Sequence, residues 1–180
     1  TVVLPGPQIT PDEILDLIEA ERISVAFGVP TIWAGVIQSM SGPRNWTLPK
    51  DLLLVSGGAA PSPEMFRFFD EHGIYLQPGW RMSETCPSAS QTWLRSAHAT
   101  LGYDEEPRLR ASNGLPLPFI GFRIADEQGS VLPWDGTSRG ELQCRGPWVT
   151  KAYIGHPEPL CATTSDGWLK TGDVAVIRPD

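Results

Sequence analysis

A short stretch near the middle of the chain brings together three side chains that suit a nucleotide. In Leu76–Pro87 an apolar run ends in a Pro-Gly pair, and Trp80, Ser83 and Glu84 follow within five positions. An indole offers a flat apolar surface for a purine, a hydroxyl can hydrogen-bond to a phosphate, and a carboxylate can join phosphate oxygens around Mg²⁺. A tight turn carrying one core tryptophan would explain the same residues. The stretch therefore indicates a nucleotide site only in combination with other parts of the sequence.

The overall composition points to an acidic, globular protein and argues against a nucleic-acid partner. The chain has 180 residues, 41% of them hydrophobic, which is enough to bury a core, and its formal net charge is −7. Nucleic-acid affinity comes largely from clustered Lys and Arg side chains, and the sequence contains no such cluster. One nucleotide triphosphate is still compatible with this charge, because Mg²⁺ and backbone N–H groups can offset its phosphates locally.

Cysteine and histidine usage favours a reducing, cytoplasmic setting and argues against a zinc site. The three cysteines show no Cys-x-x-Cys spacing, and none of the three histidines has ligand spacing with a cysteine. The chain begins without the charged and apolar regions of a secretory leader. No apolar run approaches the roughly 20 residues that span a bilayer. We therefore expect a cytoplasmic protein with no transmembrane segment.

Residues 1–87 alternate between β-prone runs and amphipathic helical patterns. One helix start is explicit, since Thr10 can serve as N-cap, proline follows at the first helical position, and Glu13 stands three residues after the cap. The predicted elements are strands at Thr1–Pro7, Ile23–Phe27, Leu52–Val55 and Ile74–Gln77, and helices after Thr10, over Ile32–Met40 and from Pro63 to Gly73. Such alternation produces a parallel sheet covered by helices.

Beyond residue 87 the pattern changes to short β-prone runs separated by turn residues. Residues 88–114 contain no clear element apart from a short helix expected around Ser90–Ala97. Strand-like runs follow at Phe122–Ala125, Val131–Leu132, Glu141–Arg145, Trp168–Leu169 and Val174–Ile177. The expected fold class is α/β, with a partial parallel sheet and covering helices followed by a mainly antiparallel β region. The division is placed between residues 1–87 and 88–180, as two parts of one large domain.

Two further loops follow predicted strands and are candidates for ligand contact. Gly28-Val29-Pro30 ends one strand and begins a helix, and Gly57-Gly58-Ala59 directly follows another strand. Open α/β folds bind ligands at the carboxyl ends of their parallel strands, and glycine lets a backbone approach a flat ligand closely. The glycine pair matches neither G-x-G-x-x-G nor a Walker loop, which excludes the dinucleotide and P-loop interpretations. An ordinary helix start and a tight turn remain open as explanations of these loops.

Several segments, in a consistent order, resemble the motifs of the adenylate-forming (AMP-binding) superfamily, which comprises acyl-CoA synthetases, amino-acid adenylation domains and luciferases. Ser56–Ala60 resembles its Gly-Gly-Ala stretch, and Trp80–Glu84 resembles its aromatic-Gly-Met-Thr-Glu motif. Arg145–Val149, with Tyr153 and Pro157-Glu158 behind it, resembles the segment that leads toward the end of the large domain. Asp166–Asp173 resembles the family's Gly-Trp-x-x-Thr-Gly-Asp motif. With VVLPGP and GVPTIW near the start, the chain is most similar to fatty-acyl and related carboxylate CoA ligases.

The resemblance implies a role for each candidate residue. Trp80 would stack on adenine, Glu84 would hold Mg²⁺, and Asp173 would bind the ribose, since one carboxylate can accept hydrogen bonds from two hydroxyls. Ser83 would contact phosphate, and Ser83 and Glu84 are the candidates for a catalytic role. The nucleotide would also contact Gly57, Gly58, Ala59 and Gly79, and the acyl pocket would be bordered by Gly28, Val29, Pro30 and Arg81.

Two departures from the family pattern limit what the chain is expected to do. Arg81 stands where the family usually has glycine, close to the acyl-adenylate, and its guanidinium would narrow the acyl pocket or pair with an acidic or phosphate group. The family's phosphate loop has no counterpart, and the sequence ends at Asp180, before the small C-terminal domain that carries the catalytic lysine. We therefore expect a fragment of the large N-terminal domain, for which enzymatic activity on its own stays open.

The expected function is that of a fragment of an ATP-dependent acid–CoA ligase. Such an enzyme activates a fatty or related carboxylic acid as acyl-AMP and then forms the CoA thioester, so that ATP, Mg²⁺, CoA and the acid are the expected cofactors and partners. Two alternatives remain open. One is a truncated, non-catalytic module that binds a nucleotide or a partner protein, and the other is an adenylating enzyme for an amino or aryl acid.

Overall fold

The computed structural model describes residues 1–7, 9–93, 109–155 and 163–179. The chain forms two compact units, each of which contains two segments of sequence. The first unit comprises Thr1–Arg81 and Ser90–Leu115, and the second comprises Met82–Ala89 and Pro116–Asp180. The division between 1–87 and 88–180 expected from the sequence stays a prediction.

The first unit contains a parallel sheet of three strands with helices between them. Strands β1 (Val25–Gly28), β2 (Leu53–Ser56) and β3 (Tyr75–Pro78) lie side by side in the order β1-β2-β3. Helices α1 (Pro11–Ala20), α2 (Pro30–Met40) and α3 (Pro63–Glu71) alternate with these strands along the chain. The parallel sheet and helices predicted from the alternating pattern are thus confirmed.

Each helix begins where the local sequence offers a reason to begin. Thr10 caps α1 in a reciprocal capping box, in which its backbone N donates to Glu13 Oε2 at 2.7 Å and its hydroxyl accepts from Glu13 N at 3.3 Å. The Ser62 side chain caps α3 by accepting a hydrogen bond from Met65 N at 3.3 Å. Helices α1, α2 and α3 each start with proline, which has no backbone N–H. At this position the N–H would have no partner within the helix, so proline costs no hydrogen bond.

The core of the first unit lies on one face of the parallel sheet. Leu54 and Leu76 point from the central and third strands to this face, and both are at most 1% exposed. Leu15, Trp33 and Phe69, one from each helix, belong to the same buried cluster. Each such side chain contributes about 1.5–3 kcal/mol by leaving water, so this cluster holds the three strands at a fixed register.

The second unit is built around an antiparallel sheet, as expected. Its strands β6 (Gly121–Ala125), β7 (Gly140–Arg145) and β8 (Leu169–Ala175) lie in that order. Ile124, Leu142 and Cys144 are buried along this sheet, and burial raises the pKa of the Cys144 thiol to about 11. Two two-residue strands, β4 (Ser90–Gln91) and β5 (Leu115–Pro116), precede the sheet in sequence.

Three predictions about elements need correction. Thr1–Pro7 forms no strand, and Val2 and Leu4 are more than 80% exposed, because no described strand offers this segment a hydrogen-bonding partner. Ser90 and Gln91 form a strand instead of the start of a helix, and residues 94–97 of that expected helix lie outside the described residues. Two separate runs were expected at Trp168–Leu169 and Val174–Ile177, but one strand, β8, extends from Leu169 to Ala175 and contains a bulge.

Candidate functional site

Three of the predicted site segments lie side by side at one edge of the parallel sheet. In register, Gly28, Ser56 and Pro78 are partners at the carboxyl ends of their strands. The backbone ladder continues one step further, because Gly57 N donates to Gly28 O and Gly79 N donates to Ser56 O, each at 3.2 Å. The segments 28–30, 57–59 and 79–81 therefore leave the sheet together, at the edge where parallel α/β folds bind ligands.

Glycine is required at Gly79 because another part of the backbone passes directly over it. A Cβ added at this position would lie 2.5 Å from Ser90 O, which is closer than real Cβ contacts allow. Gly58 has a φ of +83°, a left-handed conformation that residues with a side chain rarely adopt. At these two positions glycine is explained by the local backbone.

Trp80 is hydrogen-bonded through its backbone to Ser90, the first residue of β4. Trp80 N donates to the Ser90 hydroxyl at 3.2 Å, and Ser90 N donates in turn to Trp80 O at 3.3 Å. Next to this pair, the fully buried Gln77 donates to Thr92 O at 2.8 Å and accepts from the Gln91 side chain at 2.6 Å. A buried amide with both ends satisfied rigidifies its surroundings, so the half-buried indole extends from a fixed backbone.

Arg81 extends back across the ends of the strands. A Cβ added at Gly57 would lie 2.5 Å from Arg81 Cδ and 3.0 Å from Arg81 Nε, so the side chain occupies the space that glycine leaves. The guanidinium carbon lies 5.7 Å from the centroid of the Phe27 ring, a cation–π contact. Burial lowers the pKa of the Arg81 guanidinium from its usual value.

Ser83 and Glu84 belong to the second unit, where they form a short 3₁₀ turn, Ser83–Thr85. The fully buried Thr85 holds this turn, since its hydroxyl lies 2.5 Å from Pro87 O and accepts from Met82 N at 3.3 Å. The turn leaves Ser83 exposed and Glu84 half-buried. The hydroxyl and the carboxylate are thus presented by a locally fixed backbone.

Glu84 is held at both its backbone and its side chain by one neighbouring segment of the second unit. Thr150 N donates to Glu84 O at 2.8 Å, and the Tyr153 hydroxyl donates a short hydrogen bond to Glu84 Oε1. This hydrogen bond raises the pKa of the Tyr153 phenol, because deprotonation would remove the donor and place two negative charges together. Tyr153 therefore orients the carboxylate that was predicted to hold a metal ion.

The donor set around Glu84 fits a magnesium ion that is bound mainly through phosphate. Among the described residues, no three His, Cys, Asp or Glu side chains are grouped as a protein-built metal site requires. Magnesium bound to a nucleotide takes one or two carboxylates besides phosphate oxygens and water. Glu84 supplies one such carboxylate. Its Oε1 accepts the hydrogen bond from Tyr153, so the oxygen that would contact the metal ion is Oε2.

Asp173 stands in a bulge that interrupts the pairing of β8 with β7. Lys170 pairs with Gln143 and Val174 pairs with Glu141, so the three residues 171–173 of β8 lie opposite one residue of β7, Leu142. Thr171 closes the bulge, because its hydroxyl donates to Leu142 O at 2.7 Å and accepts from Asp173 N at 3.1 Å. The bulge turns the Asp173 region away from the regular ladder and leaves this carboxylate exposed.

Gly172 makes this bulge possible. Its φ is +79°, and an added Cβ would meet no atom within 4 Å, so the requirement is one of backbone conformation and not of space. The three residues therefore have separate roles. The Thr171 side chain closes the bulge, Gly172 adopts the left-handed backbone conformation, and Asp173 supplies the exposed carboxylate. The bulge also explains why the strand continues from Leu169 to Ala175, where the sequence indicated two separate runs.

Two arginines, one on β6 and one on β7, hold the turn that leads into β8. Arg123 donates to both carboxylate oxygens of Asp166, at 2.6 and 3.0 Å, while Arg123 and Arg145 lie 4.6 and 4.7 Å from the Trp168 ring centroid. The Arg123 hydrogen bonds, followed by one from Thr164, lower the pKa of Asp166 to about 2. The motif segment before Asp173 is thereby attached to β6.

The structure brings together some of the predicted site residues within each unit. Nine of them, the segments 28–30, 57–59 and 79–81, share one edge of the parallel sheet. Ser83, Glu84 and Asp173 belong to the second unit, and their convergence with Trp80 on a common cleft stays a prediction. A groove in the second unit, bordered by β6, β7 and β8, is lined by none of the predicted site residues.

Sequence reasoning did not assign roles to two residues that support the site. Tyr153 was noticed only as part of a family-like segment, and Arg123 only as part of a strand. Their partners, Glu84 and Asp166, are 69 and 43 residues away, and no spacing rule connects positions so far apart. Pro157 and Glu158, which follow the same family-like segment, lie outside the described residues.

Comparison with known proteins agrees with this architecture. Residues 1–154 match the family described as AMP-binding enzyme. The chain belongs to the AMP-binding enzyme family. This family member is 38% identical over 177 residues to a long-chain-fatty-acid–CoA ligase of Thermus thermophilus and 36% identical over 179 residues to a medium-chain-fatty-acid–CoA ligase of Ectopseudomonas oleovorans. The alignments cover 97% and 99% of the chain but 32% of either relative, so the chain spans about a third of their length.

Solved structures support the same fold for this member of the AMP-binding enzyme family. The N-terminal domain of FACL13 from Mycobacterium tuberculosis superposes with a TM-score of 0.76 at 22% identity, covering 97% of the chain and 40% of that domain. An identity this low supports the fold alone. In the part of the chain that the structure describes, none of the helices has the length and apolarity needed to cross a bilayer.

Proposed function

We propose that the chain is the adenosine-binding and acyl-binding part of an ATP-dependent acid–CoA ligase. Such an enzyme joins a carboxylic acid to AMP and then transfers the acyl group to CoA. The observation that carries the proposal is the common edge of the parallel sheet, where the segments 28–30, 57–59 and 79–81 leave three adjacent strands together. The names of two curated relatives, both fatty-acid–CoA ligases, support the same assignment.

Each proposed contact uses a group whose local geometry suits it. Trp80, on its fixed backbone, stacks on adenine, and the segment 57–59 lies along the base. Asp173, exposed on the bulge of β8, accepts hydrogen bonds from the two ribose hydroxyls. Ser83 donates to phosphate, and the segment 28–30 borders the acyl group. These assignments go beyond the fold and the family membership, because they propose which residue contacts each part of the ligand.

Glu84 is the residue that would hold Mg²⁺ in this proposal. When bound with ATP, the metal neutralises phosphate charge. The Tyr153 hydroxyl keeps one carboxylate oxygen occupied, which fixes the direction of the other oxygen. Fixed groups stabilise developing charge better than groups that must first reorient.

The proposal is tested by binding of a non-hydrolysable acyl-adenylate mimic, an N-acylsulfamoyl adenosine, to the chain. Isothermal titration should give measurable heat with the wild type. Asp173→Ala should weaken binding about tenfold or more, because hydrogen bonds to a charged group contribute about 1.5–3 kcal/mol. Glu127→Ala, which removes an exposed carboxylate from a turn of the same unit, should bind like the wild type. Equal affinities for Asp173→Ala and the wild type would contradict the proposed ribose contact.

A further inference from the structure

The backbone on which Trp80 stands is paired with a neighbouring segment of the first unit. Thr92 N donates to Pro78 O at 3.0 Å, and Ser90 N donates to Trp80 O at 3.3 Å, so the two segments run antiparallel. Gly79 lies between these two hydrogen bonds, and a Cβ there would be 2.5 Å from Ser90 O. The two backbones are therefore in close contact directly beside the indole.

The hydroxyl of Ser90 joins this pair of segments to a third one. It accepts a hydrogen bond from Trp80 N at 3.2 Å and donates one to Asn113 O at 2.6 Å. Ser90 is 2% exposed, so water has little access to the hydroxyl. A serine hydroxyl has a single proton, and because that proton goes to Asn113 O, a lone pair is left for the N–H of residue 80. The hydroxyl therefore links residues 80 and 113 in a defined orientation.

The third segment is itself held on both sides of the carbonyl that accepts from Ser90. Before it, Ser112 O accepts a hydrogen bond from the Thr92 hydroxyl at 2.6 Å. After it, Gly114 lies so close that an added Cβ would be 2.1 Å from Gln91 O. The Ser90 hydroxyl is thus anchored to a fixed acceptor, and it can in turn hold the backbone of the residue that carries the indole.

We propose that Ser90 is a positioning residue for adenine, which acts by holding the Trp80 indole in the orientation that stacks on the base. Stacking requires the two ring planes to lie nearly parallel and in van der Waals contact, so a small rotation of the indole reduces it. A shift of the Trp80 backbone would move the whole ring. This inference rests on the proposed function, because it takes Trp80 as the residue that contacts adenine.

A double-mutant cycle tests whether Ser90 acts through the indole. Binding of the N-acylsulfamoyl adenosine mimic is measured by calorimetry for the wild type, Ser90→Ala, Trp80→Ala and the double variant. With the indole present, Ser90→Ala should weaken binding about fivefold, as expected for the net contribution of one hydrogen bond. In the Trp80→Ala background the same change should have almost no effect, because no indole is left to position. A residue that only supports the fold would not show this coupling.

Three further variants separate the hydroxyl from the shape of the side chain and from stability. Threonine and valine have nearly the same shape, but only threonine carries a hydroxyl, so Ser90→Thr should bind the mimic about fivefold more tightly than Ser90→Val. Ser62→Ala removes the hydroxyl that caps α3 in the same unit, and it should lower stability without changing the affinity for the mimic. Thermal unfolding of each variant shows whether the fold is retained.

Three outcomes would overturn the inference while leaving the proposed function in place, because in each of them the wild type still binds the mimic. The first is a loss of equal size from Ser90→Ala in both backgrounds, and the second is a Ser90→Ala variant that binds like the wild type. The third is equal binding by Ser90→Thr and Ser90→Val. If the wild type does not bind the mimic, the proposed function fails and the inference fails with it.

Discussion

At the scale of single residues, Glu84 depends on a hydroxyl that can be deleted with little change in shape. Tyr153 donates its hydrogen bond to Oε1 of Glu84, and the backbone of Glu84 is fixed separately by Thr150. The side-chain contact therefore controls the direction of the carboxylate, while the backbone contact controls the position of the turn. The two effects can be measured apart.

We expect Tyr153→Phe to reduce the magnesium-dependent part of ATP binding. The loss should be about fivefold, because the net contribution of one hydrogen bond is about 1 kcal/mol. Binding is measured by calorimetry with ATP in the presence of Mg²⁺ and again in the presence of a chelator. Tyr75→Phe, which removes a phenol hydroxyl from the first unit, serves as the control. An equal loss with and without Mg²⁺ would show that Tyr153 does not act through the carboxylate proposed to bind the metal ion.

At the scale of secondary-structure elements, the residues that set the backbone conformation of the β8 bulge are not the residue that supplies its carboxylate. Thr171 and Gly172 shape the backbone, and Asp173 is presented by it. A change at Gly172 should therefore weaken the proposed nucleotide binding without removing any group that is proposed to contact the nucleotide.

We expect Gly172→Ala to lower the free energy of unfolding by about 1 kcal/mol, since its φ of +79° is unfavourable for a residue with a Cβ. Binding of the acyl-adenylate mimic should weaken as well, because the carboxylate is displaced. Gly129→Ala provides a matched control, since Gly129 has a φ of +84° in the turn that follows β6 and not in the bulge of β8. Both variants should lose similar stability in urea titrations. Loss of mimic affinity in both, or in neither, would contradict the role of the bulge.

Local rules predicted the elements of the first unit because each helix start is specified within a few residues. The capping box of Thr10 and Glu13 and the side-chain cap at Ser62 are of this kind. The bulge was not predictable in the same way, because the acceptor of the Thr171 hydroxyl, Leu142 O, is 29 residues away. The packing of Arg81 over Gly57 likewise depends on the pairing of β2 with β3, which no local pattern contains. The sequence therefore leads to a set of candidate site residues, which stays a prediction, but it does not contain the contacts that orient them.

At the scale of the whole molecule, acidic side chains that are ionised in the folded state make stability depend on pH. The pKa of Asp166 is lowered from 3.8 to about 2 by its hydrogen bonds to Arg123 and Thr164. Glu13 and Glu64 also have lowered pKa values, each through a hydrogen bond at a helix start. A carboxylate with a lowered pKa stabilises the fold fully above its unfolded pKa, and this contribution disappears as pH falls through the folded pKa.

We therefore expect Asp166→Asn to change the acid limb of the stability curve. The wild type should lose stability between about pH 4 and pH 2 as Asp166 becomes protonated, and the variant should decline less over that interval. At neutral pH the variant should be less stable, because Arg123 loses its ionised partner. Urea unfolding at a series of pH values measures both effects, and Glu127→Gln serves as the control. Parallel curves for Asp166→Asn and the wild type would contradict the assignment.

The bulge of β8 inserts an even number of residues, and this has a consequence for the evolution of the strand. Side chains alternate between the two faces of a sheet, so an even insertion leaves that alternation intact on both sides of the interruption. Leu169 is buried before it and Ala175 is half-buried after it, whereas Lys170 and Val174 are exposed. Deleting a single residue from Thr171-Gly172-Asp173 would move every later side chain of the strand to the opposite face of the sheet. Deleting two residues, Asp173 among them, would restore a regular strand that keeps its buried face and lacks the carboxylate.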